Sequence, residues 1–298
     1  MNHTGRTISV ATIILCCIAV GIACVLIIMI INCSCKRSTT DIKDIKHVKD
    51  IKHVKDIKHV KDIKHAESFG TPTTFYKKYG SHSSDYDRIK RVNLPIESKR
   101  PLVSALCLTR QRPKLLEGAI QDFVNQTYRK KELIIMYDED DNDTIDFINN
   151  YLHHKLNTTN HIRFYKCPAN ISIGEKRNMS VNKARGELSI IWDDDDRYDL
   201  ERIEIMTKAS ILYPGMAIES REVIINNQTT GKQYITTSAD AYYPATMIVP
   251  TKLLNGKYST HRGRTAGEDS DARAKIIATG NLVKLNLPHL YSYTFHET

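Results

Sequence analysis

The sequence predicts an α/β protein with a mostly parallel sheet flanked by helices. From about residue 101, apolar runs typical of buried strands alternate with amphipathic segments typical of helices. Two of these apolar runs end abruptly in clusters of carboxylates. Ligands of open α/β sheets bind just beyond the carboxyl ends of the strands, so this fold class would bring both clusters to one edge of the sheet.

Residues 1–35 are interpreted as an amino-terminal tail and a single transmembrane helix. Residues 8–31 are apolar throughout, interrupted only by small residues and by Thr or Ser, and about 20 such residues suffice to cross a bilayer. A cleaved signal peptide is the alternative. The run is longer than the usual apolar region of such a peptide, and its basic flank follows it, so we favour the anchor.

The positive-inside rule predicts that the larger part of the chain lies in the cytosol, because Lys36 and Arg37 outweigh Arg6. The alternative is a type II orientation, with this part in the lumen of the secretory pathway. Asn-X-Ser/Thr sequons favour the cytosol, since glycans on several of them would crowd the acidic strand ends. The sequons begin at Asn2, Asn32, Asn125, Asn142, Asn157, Asn170, Asn178 and Asn227.

Residues 36–65 are interpreted as a solvated stalk. From residue 41 they repeat Lys-Asp-Ile-Lys-His-Val with a six-residue period, and an apolar residue at every third position builds no lasting face on a helix. Residues 66–100 contain Ser, Gly, Pro and mixed charge, so we expect a linker or an amino-terminal extension there. Residues 101–298 are then expected to form the folded domain.

The distribution of charge bears on the class of partner. The chain carries a net charge of +9, but residues 101–298 contain 25 basic and 25 acidic residues. The excess of positive charge therefore lies entirely ahead of the expected folded domain. Because that domain lacks the basic footprint of nucleic-acid-binding proteins, we expect no nucleic-acid partner.

Strands and helices are expected to alternate within the folded domain. Hydrophobic periodicity predicts strands at residues 102–108, 133–136, 162–166 and 188–192, and helices at residues 113–126, 143–156, 175–184 and 271–279. Pro113 suits the first turn of its helix, where the backbone nitrogen needs no intrahelical partner. Strands that alternate with helices in this way imply a doubly wound sheet.

The fourth predicted strand ends at Trp192 and is followed by four consecutive Asp residues, 193–196, here called the acidic run. Adjacent carboxylates repel one another, which indicates that a divalent cation neutralises them. Oxygen ligands favour Mg²⁺ or Mn²⁺, and such ions usually bridge to substrate phosphates. A solvated acidic turn is the alternative, and the buried strand directly ahead of the run argues against it.

A second acidic strand end, residues 137–143, follows the second predicted strand. Between the two ends, Gly174 opens a helix that carries Lys176 and Arg177 in its first turn. Cations at that position oppose the helix dipole, so we expect an anion such as a diphosphate nearby. The alternative is a surface helix whose cations are solvated.

Taken in order, these motifs resemble the nucleotide-binding half of the family 2 glycosyltransferases. The resemblance is carried by residues 102–126 with Gln126-Thr127-Tyr128, residues 132–143, Gly174-Glu-Lys-Arg-Asn, Ala184-Arg185-Gly186-Glu187, and Trp192 with the acidic run. Gly267-Glu268-Asp269 is similar to the acceptor-side motif of that family. The resemblance implies a GT-A (Rossmann-like) fold and inverting transfer from a nucleotide sugar.

The resemblance implies a DxD motif made of Asp193 and Asp195. Asp195 would be the nearest ligand of the metal, and Asp193 would face the ribose or the metal. Asp194 and Asp196 leave the register of the motif open by one residue. Mn²⁺ or Mg²⁺ would be the cofactor.

Further roles on the donor side follow from the same resemblance. The nucleotide base and ribose would contact Thr109, Asp138 and Glu139. The diphosphate would contact Arg177, and His296 would be a further contact for the metal or the diphosphate. Glu139 replaces the Asp that is usual at its position, which leaves the identity of the nucleotide open.

Asp269 would be the catalytic base. A carboxylate within reach of the acceptor hydroxyl can take its proton while a cation stabilises the leaving diphosphate. The structural alternative is that Glu268 and Asp269 stand ahead of the last predicted helix and favour its positive end. Tyr242 and Tyr243 would stack on an acceptor sugar or belong to ordinary packing.

The sequence therefore predicts a membrane-anchored, metal-dependent, inverting glycosyltransferase that uses a nucleotide sugar, specifically a UDP-sugar. Its acceptor would be a hydroxyl of a glycan, protein or lipid. A nucleotidyltransferase on a similar sheet is the nearest alternative, but residues 109–112 lack the Gly expected of its phosphate loop. The other alternative is an inactive, membrane-tethered binding module, and the presence of Asp195 and Asp269 argues against it.

Overall fold

The computed structural model describes residues 83–154, 161–236, 243–261 and 267–295. The helices are α1 Ser84–Lys90, α2 Pro113–Val124, α3 Asn142–His154, α4 Ile173–Lys183, α5 Arg202–Leu212, α6 Thr251–Leu254 and α7 Glu268–Ile277. The strands are β1 Val103–Thr109, β2 Lys131–Asp138, β3 Ile162–Cys167, β4 Leu188–Ile191, β5 Arg197–Tyr198, β6 Ala217–Ser220, β7 Ile224–Asn227, β8 Lys232–Ile235, β9 Ile248–Pro250, β10 Leu282–Leu285 and β11 Tyr291–Phe295.

A seven-stranded sheet in the order β10-β6-β9-β4-β1-β2-β3 forms the centre of the domain. Strands β3, β2, β1 and β4 are parallel neighbours, and β6 is parallel to β10. Among the described strands of this seven-stranded sheet, only β9 runs antiparallel to its neighbours, β4 and β6. The predicted α/β class, with its mostly parallel sheet flanked by helices, is thus confirmed.

The predicted strands and helices lie where the periodicity placed them, with shifted ends. The second strand is longer than expected because both its flanks, Lys131 and Asp138, are also buried. The last helix begins at Glu268, three residues early, since Gly267 adopts a left-handed φ of 97° and starts the helix there. The expectation that Glu268 and Asp269 stand ahead of this helix is therefore wrong, because both lie in its first turn.

A second sheet, in the order β5-β11-β7-β8, packs beside the acidic run. Tyr198 of β5 and Tyr291 of β11 are paired residues of this sheet, and both are buried. Trp192 stacks on Tyr198 with a centroid distance of 3.9 Å and donates its indole N–H to the carbonyl of Ala119 at 3.0 Å. The second sheet therefore closes over the residue that leads into the acidic run.

The described chain begins with an extension that packs on the domain. In α1, Tyr86 and Ile89 are buried, and the Tyr86 hydroxyl donates to Glu201 at 2.6 Å. The backbone N–H of Asn286 also donates to Asp85, at 2.8 Å. The described residues 83–100 therefore lie against the domain that follows them.

The predicted membrane span at residues 8–31 and the stalk at residues 36–65 lie outside the described residues. Within residues 83–154, 161–236, 243–261 and 267–295, no helix combines the length and apolar character that a bilayer crossing requires.

The amino end of α4 comes very close to the segment that precedes α7. A Cβ atom at Gly174 would overlap the carbonyl oxygen of Ser259, and it would also approach the Cβ of Glu268 at 3.5 Å. Backbone atoms cannot move aside as a flexible side chain can. Gly174 therefore sets the spacing between α4, which carries Arg177, and α7, which carries Asp269.

We expect Gly174→Ala to lower the free energy of unfolding by about 2 kcal/mol, the usual cost of overpacking. The matched control is Gly118→Ala in the middle of α2, where the nearest atom to an added Cβ is 3.9 Å away. That change should raise the stability by about 0.5–1 kcal/mol, because Ala favours a helix more than Gly does. Urea unfolding of both variants checks the prediction, and equal stabilities would contradict it.

Candidate active site

The carboxyl ends of β1, β2 and β4 bring their polar residues together, as the topology predicts. Thr109 at the end of β1 donates its hydroxyl to Asp194 at 2.7 Å. Arg110 forms an ion pair with Asp138 at the end of β2, and Arg112 bonds to Asp195 at 2.7 Å. The two acidic strand ends therefore meet at one edge, where the loop after β1 joins them.

The side chains of the acidic run alternate between buried and half-exposed positions. Asp194 and Asp196 are buried, whereas the side chains of Asp193 and Asp195 are 23% and 25% exposed. The solvated acidic turn considered from the sequence is therefore wrong. The alternation offers only Asp193 and Asp195 to a ligand, which supports the register predicted for the DxD motif.

The two buried carboxylates of the run have structural partners. Asp196 accepts hydrogen bonds from the Tyr291 hydroxyl at 2.5 Å and from the Thr294 N–H at 2.8 Å, and both donors lie on β11. Burial raises the pKa of Asp196 well above its ordinary value, and burial raises the pKa of Asp194 to about 7. Part of the negative charge expected of the run is thus removed by protonation near neutral pH.

A buried guanidinium lies behind the acidic run. Arg202 on α5 is enclosed by three aromatic rings, with its Cζ 5.3 Å from the ring centre of Trp192, 4.5 Å from that of Tyr198 and 5.3 Å from that of Tyr291. It also donates to the carbonyl of Ala245 at 2.5 Å. The aromatic faces compensate its lost hydration, and its charge favours the carboxylates in front of it.

The two half-exposed carboxylates are also paired with cations. Arg177 donates to Asp193 at 2.7 Å, and Arg112 reaches both Asp194 at 2.8 Å and Asp195 at 2.7 Å. No group of three or more His, Cys, Asp or Glu residues within the described parts of the chain is arranged to hold a metal ion. Arginines from the loop after β1, from α4 and from α5 thus contribute positive charge to the run.

Arg177 connects the acidic run to the predicted base. Its Nη2 lies 2.7 Å from Asp193 and 3.5 Å from Asp269 Oδ2. The other oxygen of Asp269, Oδ1, is buried and has no hydrogen-bond partner among the described residues. Burial raises the pKa of Asp269 to about 6, and the charge of Arg177 opposes that rise. Asp269 thus has one carboxylate oxygen without a hydrogen bond from the described residues, and its pKa is raised to about 6.

The first turn of α4 differs from the solvated alternative. Ser172 and Glu175 form a reciprocal capping box that satisfies the free N–H groups. Lys176 forms an ion pair with Asp138, and Arg177 is buried against Asp193 and Asp269. The anion expected near these cations is therefore present as protein carboxylates.

Other predicted residues fall in different environments. Asp138 is fully buried between Arg110 and Lys176, whereas Glu139 is exposed at the rim. Tyr243 lies 5.7 Å from the exposed Tyr293 of β11, measured between ring centres. His296 and Tyr242 lie outside the described residues.

Three residues of this edge were missed by the sequence reasoning. Arg110 and Arg112 pair with the two acidic strand ends, and Asp141 accepts hydrogen bonds from the N–H groups of Gln111 at 2.6 Å and Thr144 at 3.1 Å. Their position after β1 or β2 was a usable signal, because it places them at the same sheet edge. Gln111 adopts a left-handed φ of 55°, which turns its two arginine neighbours toward the acids.

The comparison with protein families shows which family the chain belongs to. The model described as Glycosyl transferase family 2 matches residues 104–264, more than half of the chain. The chain belongs to glycosyl transferase family 2. The resemblance to the family 2 glycosyltransferases predicted from the sequence is thus confirmed.

Similar proteins agree with the family. The chain is 34% identical over 109 residues to an uncharacterized glycosyltransferase of Methanocaldococcus jannaschii, over 36% of this chain and 37% of that protein. It is 28% identical over 91 residues to the cholesterol galactosyltransferase of Borreliella burgdorferi, over 30% of this chain and 24% of that protein. The matched segments span little more than a third of these family members at most.

A solved structure has the same fold. S. aureus TarS 1–349 in complex with UDP-GlcNAc superposes with a TM-score of 0.52 at 14% identity, over 66% of this chain and 59% of that one. Similarity at this level of identity shows the fold alone. The expected GT-A-like architecture of this family 2 glycosyltransferase is confirmed.

Proposed function

We propose that this family 2 glycosyltransferase transfers a sugar from a UDP-sugar to an acceptor hydroxyl, with inversion and with the help of a divalent cation. The observation that carries the proposal is the position of Arg177 between Asp193 and Asp269, at 2.7 and 3.5 Å. One guanidinium thus separates the carboxylates offered to the donor from the carboxylate offered to the acceptor. The reacting atoms of donor and acceptor must approach to about 3–3.5 Å, so the carboxylates that serve the two substrates are expected to be close neighbours.

The half-exposed carboxylates fit a divalent cation. Asp195, with Asp193 beside it, would hold Mn²⁺ or Mg²⁺ through hard oxygen ligands, and such ions keep several waters and need few protein ligands. When bound, the cation stabilises the negative charge that grows on the leaving diphosphate. Within the chain itself, Arg177 and Arg112 supply positive charge on the same side. His296 stays a proposed further contact.

The environment of the second acidic strand end suits a nucleoside. Thr109 and Asp138 are held by hydrogen bonds and ion pairs at the floor of the edge, while Glu139 is exposed above them. We assign the base and ribose contacts to these three residues, with Glu139 the most accessible. The S. aureus TarS structure holds UDP-GlcNAc, which supports a nucleotide sugar as the class of donor.

Asp269 is the proposed base for the acceptor. Its unpaired Oδ1 can accept the proton of a hydroxyl as that oxygen attacks the anomeric carbon. The attack comes from the side opposite the diphosphate, which inverts the anomeric centre. Arg177 stabilises the ionised form of Asp269 before the proton arrives.

We expect Asp269→Asn to abolish turnover while nucleotide binding is retained, because only the proton acceptor is lost. Asp195→Ala should abolish turnover together with metal-linked nucleotide binding. Calorimetric titration of the full chain with UDP, GDP and Mn²⁺ measures binding, and UDP release from UDP-glucose, UDP-galactose and UDP-N-acetylglucosamine measures turnover. Full activity of either variant would refute the role assigned to that residue.

The pH dependence of turnover should show the titration of Asp269. The base must be ionised to accept a proton, and its raised pKa of about 6 places the loss of activity below that pH. We expect the logarithm of kcat/KM to rise with a slope of one up to about pH 6 and then to level off. Asp269→Asn should stay inactive across this pH range, and a kcat/KM profile of this variant identical to that of the wild type would exclude Asp269 as the base.

Residues 8–31 are proposed to anchor the enzyme in a membrane, with the catalytic domain in the cytosol. The sequon at Asn178 supports this side, because its side-chain amide donates to the carbonyl of Tyr258 at 3.0 Å and accepts from the Tyr258 N–H at 3.3 Å. A glycan on that amide nitrogen would break the pair. Peptides from residues 101–298 of the expressed full chain should show no change in mass after endoglycosidase treatment, and a loss of glycan mass from any of them would place the domain in the lumen.

A further inference from the structure

Arg112 makes an unusual pair of contacts at the mouth of the candidate site. Its Nη1 lies 2.7 Å from Asp195 Oδ2, and its Nη2 lies 2.8 Å from Asp194 Oδ1. One half of the guanidinium therefore contacts a buried carboxylate, and the other half contacts the half-exposed carboxylate assigned to the metal. The two contacts differ in how easily a ligand can replace them.

Asp194 is bound at both of its carboxylate oxygens, by Arg112 at Oδ1 and by Thr109 at Oδ2. Asp194 is buried, and its second oxygen accepts the hydroxyl of Thr109 at 2.7 Å. Asp195 is 25% exposed, and the Arg112 side chain itself is 42% exposed. An ion pair that is open to water contributes little free energy, so the half that faces Asp195 is the weaker one.

The charges around Asp195 make Arg112 and a divalent cation competitors. A guanidinium at 2.7 Å occupies an oxygen that the cation needs, and two positive groups on one carboxylate repel each other. The buried Arg202 adds positive charge behind the run, and Arg177 already pairs with Asp193 at 2.7 Å. Little uncompensated negative charge remains to attract a free cation unless Arg112 withdraws.

We propose that Arg112 and the divalent cation are alternative partners of Asp195, and that the guanidinium released from Asp195 turns to the diphosphate of the donor. The inference rests on the proposed function, because it needs a cation at Asp195 and a nucleoside diphosphate. Arg112 stays paired with Asp194 during the exchange, and its planar guanidinium pivots as a unit about that contact. It becomes a substrate-contacting residue for the leaving group, in addition to Arg177.

The position of Arg112 in the fold agrees with this role. It directly precedes α2, whose first-turn N–H groups have no side-chain cap from residue 112 and point to the same sheet edge. An anion at that edge meets both the positive end of a twelve-residue helix and a guanidinium that forms paired hydrogen bonds with phosphate oxygens. The exchange also predicts that free cation binds weakly and that nucleotide strengthens its binding.

The test uses the full chain carrying Arg112→Gln and measures two affinities. Mn²⁺ alone, titrated by electron paramagnetic resonance of the free ion, should bind about tenfold more tightly than to the wild type, because its competitor is gone. UDP in saturating Mn²⁺ should bind about tenfold or more weakly, because a charge-assisted hydrogen bond is lost. Uridine, followed by ligand-observed NMR, should bind equally to both proteins, since it carries no phosphate.

Arg88→Gln on α1 is the matched control. Its side chain is 49% exposed and pairs with Asp85 at 3.0 Å in the amino-terminal extension, so both affinities should stay at the wild-type values. A loss of Asp195 geometry in Arg112→Gln would weaken both ligands, whereas the exchange moves the two affinities in opposite directions.

Unchanged or weaker Mn²⁺ binding by Arg112→Gln would overturn the exchange while leaving the proposed function in place. Unchanged UDP binding would overturn the contact with the diphosphate in the same way. Failure of the wild type to bind Mn²⁺ and UDP at all would overturn both the inference and the proposed function, so the two failures are distinguishable.

Discussion

The site depends on the neutralisation of four consecutive carboxylates by cations that come from elsewhere in the chain. Arg112 from the loop after β1, Arg177 from α4 and Arg202 from α5 approach the run from three directions. Each would be costly to bury alone, and each acid would be costly to bury without them. The acidic strand end is therefore stable only when several elements are packed at once, which links the integrity of the fold to that of the site.

The same arrangement assigns different tasks to neighbouring residues. Asp194 and Asp196 face inward and join the run to β1 and β11, while Asp193 and Asp195 remain at the surface of the edge. Asp194 and Asp195 lie in a turn, so the division follows from the partners that each side chain meets and not from strand alternation. A run of identical residues thus combines structural and ligand-binding positions without any difference in side-chain chemistry.

Local pattern was sufficient to predict the sheet and the edge at which the site lies. Periodicity located β1 to β4 and the helices between them, because the spacing of apolar residues along the chain reflects which face of each element is buried. The partners of the carboxylates were not predictable in the same way. Arg202 and Tyr291 meet Trp192 through packing between distant segments, which the spacing of residues along the chain does not reveal.

The hydrogen bonds from β11 to Asp196 have a consequence for synthesis of the enzyme. The acidic run is translated about a hundred residues before Thr294, whose N–H it requires. A nascent chain on the ribosome can therefore form the parallel half of the sheet while Asp196 still lacks its hydrogen-bond donors from β11. The hydrogen bonding of the acidic run is therefore completed only when the second sheet closes.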